Sequence, residues 1–228
     1  MGGQACILYG GAEFSRDIDF AILASEDNLL QLKACLDELE AEVIAVPPFS
    51  KENLERGHAI HFRCSTPEAA GLRVDVMTKL RGVDEFEKLW QRRSTLLSDD
   101  GTEYQVMSLP DLVKAKKTQR DKDWPMIRRL LEADYFGSLN HADLEQIEFW
   151  LRELRTPELL IEVAGQHPEI AKRLTEVRPL LRYALFEDEA LLIDGLASEE
   201  RAERDADKEY WRPLKAELEQ LRLDRRKN

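Results

Sequence analysis

Cysteine is scarce in this chain. Cys6, Cys35 and Cys64 are the only three, too few and too far apart for a disulfide framework or a zinc ligand set, so reduced thiols are expected. No apolar run approaches the roughly 18–20 residues that a helix needs to cross a bilayer. The first residues also lack the basic and then apolar pattern of a secretory signal. A cytoplasmic protein with no membrane partner is the expectation. Positive charge is in short supply as well: 33 Lys and Arg stand against 45 Asp and Glu, a net charge of −12. That balance disfavours the surface as a whole as a nucleic-acid binder. No phosphate-binding P-loop, nucleophile elbow or kinase signature occurs, and there is no internal repeat. What remains is a globular composition, 43% hydrophobic and 34% charged over 228 residues, enough for one domain and a helical extension.

The chemistry concentrates early. Met1-Gly2-Gly3 is followed by Ser15-Arg16-Asp17-Ile18-Asp19-Phe20. Successive side chains of a strand point to opposite faces, so Asp17 and Asp19 share one side. Two neighbouring carboxylates repel unless a cation lies between them. Magnesium suits them, because it takes hard oxygen ligands from one or two carboxylates together with substrate phosphates. A third acid, Asp75, sits at the centre of a second strand-like run, Leu72-Arg73-Val74-Asp75-Val76-Met77. Glycines at 2 and 3 would let backbone amides approach phosphate oxygens with no side chain in the way. Ser15 would either add a hydroxyl to the same group or serve only as a turn residue.

These residues resemble the nucleotidyltransferase superfamily that includes DNA polymerase beta-like enzymes. Its pattern is a glycine pair, a spacer, Asp-x-Asp, and a distant Asp on a neighbouring strand. Gly2-Gly3, the thirteen residues Gln4 to Arg16, Asp17/Asp19 and Asp75 follow that order. The likeness continues through Thr78-Lys79-Leu80-Arg81-Gly82-Val83, Ser108-Leu109-Pro110-Asp111-Leu112, Lys116 and Arg120-Asp121-Lys122-Asp123. This order is similar to a bacterial branch related to abortive-infection and toxin nucleotidyltransferases, over about residues 1–135. The resemblance implies an α/β (α+β) fold with a mixed sheet flanked by helices. It also implies transfer of a nucleoside monophosphate from a nucleoside triphosphate to an acceptor, with release of pyrophosphate. Asp17, Asp19 and Asp75 would be the catalytic and metal-binding acids for Mg2+ or Mn2+. Gly2, Gly3, Ser15, Lys116, Lys122 and Asp123 would face the nucleotide. The acceptor stays open between tRNA, a protein and a small molecule, and a small protein partner or a homodimer is compatible with the branch. Two features depart from the family. A hydrophobic strand normally precedes the glycine pair, whereas here the pair follows Met1 at once. The expectation is an exposed strand edge beside the site, for a leading segment or a neighbouring chain to cover. Glu13 stands where relatives carry an Arg, and an acid cannot neutralise phosphate. These departures keep two alternatives open: a catalytically silent nucleotide-binding or protein-interaction module, and the toxin component of a toxin–antitoxin pair.

Periodicity and turn residues predict a helix over 4–9 ended by Gly10-Gly11 and a strand over 17–23. A helix over 26–42 and a short strand over 43–46 stopped by Pro47-Pro48 follow. Strands at 58–64 and 72–77 come next, then a helix over 84–93. A hairpin over 94–107 turns at Asp99-Asp100-Gly101, and a further helix is capped by Ser108. From Gly137 the pattern is helical only, with Asn140 and Thr156-Pro157 as starts and Pro213 as a break. This gives a domain over 1–136 and a helical region over 137–228. A cluster of Lys114, Lys116, Lys117, Arg120, Lys122, Arg128 and Arg129 reads either as a solvated helix face or as a ridge for a triphosphate or an RNA edge. His58 and His61 would lie on opposite strand faces and play no part in metal binding. Trp90, Trp124, Trp150 and Trp211 read as core or seam residues.

Overall fold

The computed structural model describes residues 1–227 as a mixed α and β protein. Its helices and strands are, in order, α1 (Gly2–Leu8), β1 (Asp17–Ala21), α2 (Glu26–Glu38), β2 (Glu42–Val43), α3 (Lys51–Arg56), β3 (Ile60–Arg63), β4 (Arg73–Met77), α4 (Phe86–Gln91), β5 (Ser94–Leu97), β6 (Glu103–Val106), α5 (Leu109–Lys116), α6 (Asp123–Ser138), α7 (Leu144–Glu153), α8 (Pro157–Gln166), α9 (Pro168–Leu174), α10 (Leu181–Leu185) and α11 (Glu189–Lys227). No helix of the described residues is long and apolar enough to cross a membrane.

The chain divides into two compact units. The first comprises Met1–Leu8, Glu13–Ala115 and the stretch from Glu209; the second comprises Tyr9–Ala12 and Lys116–Lys208. The boundary read from the sequence, 136/137, falls inside α6 of the second unit.

The first unit is built on a four-stranded sheet in the order β1-β4-β3-β2. β1 and β4 are parallel, and β4–β3 and β3–β2 are antiparallel. Alternation gives the sheet one apolar face. Ile60, Phe62, Val74 and Val76 are buried there with Leu36 of α2, Leu54 of α3 and Cys64. Burying side chains of this size stabilises by about 1.5–3 kcal/mol each, which fixes the register of the strands. The odd-numbered positions of β1, β3 and β4 therefore share the opposite, charged face. β5 and β6 form the expected hairpin. Ser108 caps α5, and Arg92 ties α4 to α5 by gripping the buried Asp111 through Nε at 3.0 Å and Nη2 at 2.9 Å.

The second unit is all helical apart from short connections. Its core holds Trp124, Ile127, Leu130, Leu131, Tyr135, Trp150, Leu151, Leu160 and Leu181. Arg178, 5% exposed, donates to the carbonyls of Leu151 and Leu154 and to Glu199, so each nitrogen of a buried guanidinium has a partner.

Several local readings are corrected. Residues 51–56, between the expected strands at 43–46 and 58–64, form a helix. Ser50 accepts from Asn53 N, and Gly57, at φ +102°, ends the helix in the left-handed region. Asp143, not Asn140, caps α7, accepting from Gln146 N at 2.9 Å. Pro213 does not break α11. The ring deprives the carbonyl of Glu209 of its helical partner, but both residues are exposed, where water replaces the missing bond. The two units part at Lys208/Glu209, one turn before that proline.

Candidate functional site

The charged face of the four-stranded sheet gathers the three acids. Parallel pairing of β1 with β4 sets Asp17 opposite Arg73 and Asp19 opposite Asp75. Antiparallel pairing of β4 with β3 sets Asp75 opposite His61 and Arg73 opposite Arg63. Two transverse rows result: Asp19–Asp75–His61, and Asp17–Arg73–Arg63. Adjacent strands lie about 4.8 Å apart. At an effective dielectric of about 20, like charges at that separation repel by roughly 3 kcal/mol, too much to leave uncompensated.

Arg73 supplies the compensation. Its Nε and Nη2 each lie 2.8 Å from an oxygen of Asp75, a bidentate grip, and its Nη1 stands 4.0 Å from Oδ2 of Asp17. His61 Nδ1 lies 2.8 Å from Oδ1 of Asp75 and 3.0 Å from Nη2 of Arg73. Only a protonated Nδ1 donates to the carboxylate, and only a bare one accepts from the guanidinium. Asp75 is 6% exposed. Burial pushes its carboxyl pKa up, but hydrogen bonds from His61 and Arg73 outweigh burial and hold it below the usual range. The same pairing, led by the hydrogen bond to Asp75, raises the pKa of Arg73. His61 is thus a member of the cluster, contrary to the sequence reading. It shares a face with Asp75 because the two are partners in the antiparallel pairing of β3 with β4; the strand begins at Ile60, which leaves His58 outside it, and His58 Nε2 meets Oε2 of Glu217 at 2.7 Å. Register, not spacing, brings His61 in.

The glycine pair opens α1 beside Asp19. Gly2 has φ +65°, and a Cβ on it would fall 1.9 Å from Oδ2 of Asp19; one on Gly3 would fall 2.3 Å from Oγ of Ser15. Gly3 N donates to Oδ2 of Asp19 at 3.3 Å, and the amino group of Met1 donates to the Asp19 carbonyl at 2.9 Å. The Ser15 hydroxyl donates to the Asp17 carbonyl at 3.0 Å, closing the turn into β1. Both glycines are required by close approach, Gly2 to the acid itself and Gly3 to Ser15. β1 is an edge of the sheet, as expected.

Lys116, Lys122 and Asp123 lie in the second unit. Asp123 is fully buried and accepts from Lys116 Nζ at 3.4 Å, Thr118 Oγ1 at 2.6 Å and Arg120 Nε at 2.8 Å. Lys122 is exposed at the start of α6. The basic run is largely paired: Lys117 meets Glu153 at 2.7 Å, and Arg128 meets Glu132 at 2.7 Å. Of the four tryptophans, Trp124 and Trp150 are core, Trp211 is half-buried, and Trp90 is 45% exposed with Arg93 4.0 Å above its ring.

The donor chemistry of Asp17 and Asp19 suits a hard divalent cation, being carboxylate oxygen alone. Asp75 suits one only with Arg73 displaced, since both of its oxygens are engaged. Accordingly, among the described residues no group of three or more His, Cys, Asp or Glu side chains is arranged to hold a metal ion. No protein-family model matches the sequence, and no curated protein matches it either.

Proposed function

We propose that the charged sheet face is the site of a magnesium-dependent nucleotidyltransferase on a nucleotidyltransferase-type fold. It would transfer a nucleoside monophosphate from a nucleoside triphosphate to an acceptor hydroxyl or phosphate. The observation that carries the reading is the register of Asp19 against Asp75 on adjacent parallel strands, with Asp17 on the same face and the Gly3 amide at Asp19. Asp17 and Asp19 would hold the cation, with Asp75 completing the set. A bound divalent cation supplies charge neutralisation of the triphosphate and polarisation of its oxygens. The acceptor oxygen forms a new bond to the α-phosphorus and a hydroxyl acceptor's proton passes to solvent water, while the α–β phosphoanhydride bond breaks and pyrophosphate leaves with the bonding pair. Asp75 is held ionised by Arg73 and His61, which makes it a weak base and favours a ligand's role over proton abstraction. Gly2 lets the backbone of α1 lie against Asp19, and Gly3 N donates to that carboxylate.

A second reading has its own support. A silent nucleotide-binding module needs no third metal ligand, and the engagement of both Asp75 oxygens by Arg73 fits it. Thermal unfolding with each of the four ribonucleoside triphosphates, with and without Mg2+, separates these readings from none at all. A ligand that binds only the native state raises its melting temperature. The transferase reading expects a Mg2+-dependent rise that is lost in Asp17→Asn/Asp19→Asn, together with pyrophosphate release once an acceptor is present. A rise independent of Mg2+ supports the silent module. No rise with any nucleotide sinks both.

A further inference from the structure

We propose that Arg73 is a resident counter-ion of the acid cluster, and that it and a divalent cation exclude one another at Asp75. The inference rests on the metal-site reading above and deepens it by naming what the metal must displace. Three observations carry it. Arg73 is placed by register: two residues before Asp75 on β4 and directly opposite Asp17 on β1, it is the cation on this face aligned with both acids. Its contacts are divided between them, a bidentate grip on Asp75 at 2.8 Å and an approach to Asp17 at 4.0 Å. Its side chain is 38% exposed, while that of Asp75 is 9% exposed, so the guanidinium has solvent to swing into and the carboxylate has little.

The electrostatics follow directly. Asp17, Asp19 and Asp75 together carry three negative charges on two adjacent strands. Without a cation their repulsion opposes the parallel pairing of β1 with β4. One guanidinium offsets much of it, and in doing so occupies the oxygens that a metal would need. Arg73 is a positioning residue, not a catalytic one: it keeps the carboxylates assembled in the resting protein and yields them on metal entry. The cost is a weaker apparent metal affinity, because every binding event must first break a charge-assisted pair.

Mn2+ is the probe, with free ion read by its electron paramagnetic resonance signal and stability read by thermal unfolding in chelator. The wild type, Arg73→Gln, Arg73→Lys and Asp17→Asn/Asp19→Asn are compared. Arg73→Gln is expected to bind Mn2+ roughly tenfold or more tightly than the wild type, and to melt lower in chelator but recover with Mn2+. Arg73→Lys keeps the charge and loses the fork that grips both oxygens. It should fold and bind Mn2+ with an affinity between the other two, which keeps the test decisive if the glutamine variant does not fold. A merely structural arginine would lower stability without tightening Mn2+ binding. If the wild type binds Mn2+ in a manner abolished by Asp17→Asn/Asp19→Asn, while neither Arg73 variant binds more tightly, the counter-ion inference alone is overturned. If no variant binds Mn2+, the metal-site reading falls and takes this inference with it.

Discussion

Arg73 grips both carboxylate oxygens of Asp75 from two positions earlier on the same strand, at 2.8 Å each. A residue and its second neighbour share a strand face, so this pairing is local in sequence. Its consequence is not local, because Asp75 faces Asp19 across β1 and His61 across β3.

Removing the carboxylate should therefore be felt in the fold. Asp75→Ala leaves Arg73 and His61 without their shared acceptor. A fully buried pair broken this way costs about 3–5 kcal/mol. Arg73 is part-exposed and regains water, so a loss of about 1–3 kcal/mol is expected by urea denaturation. A loss within 0.5 kcal/mol, the range of ordinary surface changes, would contradict the geometry described here.

Gly2→Ala meets two obstacles. The left-handed backbone at φ +65° costs an L-residue about 1–2 kcal/mol. The added methyl also falls on the Asp19 carboxylate, at 1.9 Å from Oδ2. Lower stability and loss of any Mg2+-dependent nucleotide stabilisation should appear together. Wild-type nucleotide response in this variant would show that the close approach of Gly2 to Asp19 is dispensable.

In the second unit, Asp123 and Lys122 should behave oppositely. Asp123→Ala removes a fully buried acceptor of three hydrogen bonds, with two cations among the donors, and a loss of about 3–5 kcal/mol is expected. Lys122→Ala changes an exposed side chain and should stay within about 0.5 kcal/mol of the wild type. Any effect of Lys122→Ala on nucleotide binding would then report on binding and not on folding.

Asp134 gives stability a pH dependence of defined sign. Burial raises its carboxyl pKa above the ordinary 3.8, against hydrogen bonds from Trp150 Nε1 at 2.7 Å and Gln146 Nε2. Its folded-state pKa exceeds its unfolded one, so its contribution is complete below about pH 3.8 and is lost as pH rises through the folded value. Asp134→Asn keeps an oxygen acceptor and discards the ionisation. Urea midpoints measured from pH 4 to 8 should fall less with rising pH in the variant than in the wild type. Parallel curves would exclude Asp134 as the source.

The sequence is most legible where the signal is local. Alternation placed Asp17 with Asp19 on one face, Gly10 ended the first helix at φ +76°, and Asp99-Asp100-Gly101 turned the hairpin. Trp211, Leu214, Leu218 and Leu221 recur at helical spacing along α11 and are half-buried, while Tyr210 is exposed. Errors came where two signals competed: Asn140 and Asp143 as caps, or proline chemistry against the continuity of a solvated helix at Pro213.

The sequence by itself determined which residue types share a strand face, because a two-residue period is a property of the backbone alone. It could not determine which strands are neighbours or in what register. Those depend on Ile60, Phe62, Val74 and Val76 packing against Leu36 and Leu54 from far along the chain. Only that packing sets His61 at Asp75 and Arg73 opposite Asp17, turning three separated carboxylates into one cluster with its own counter-ion.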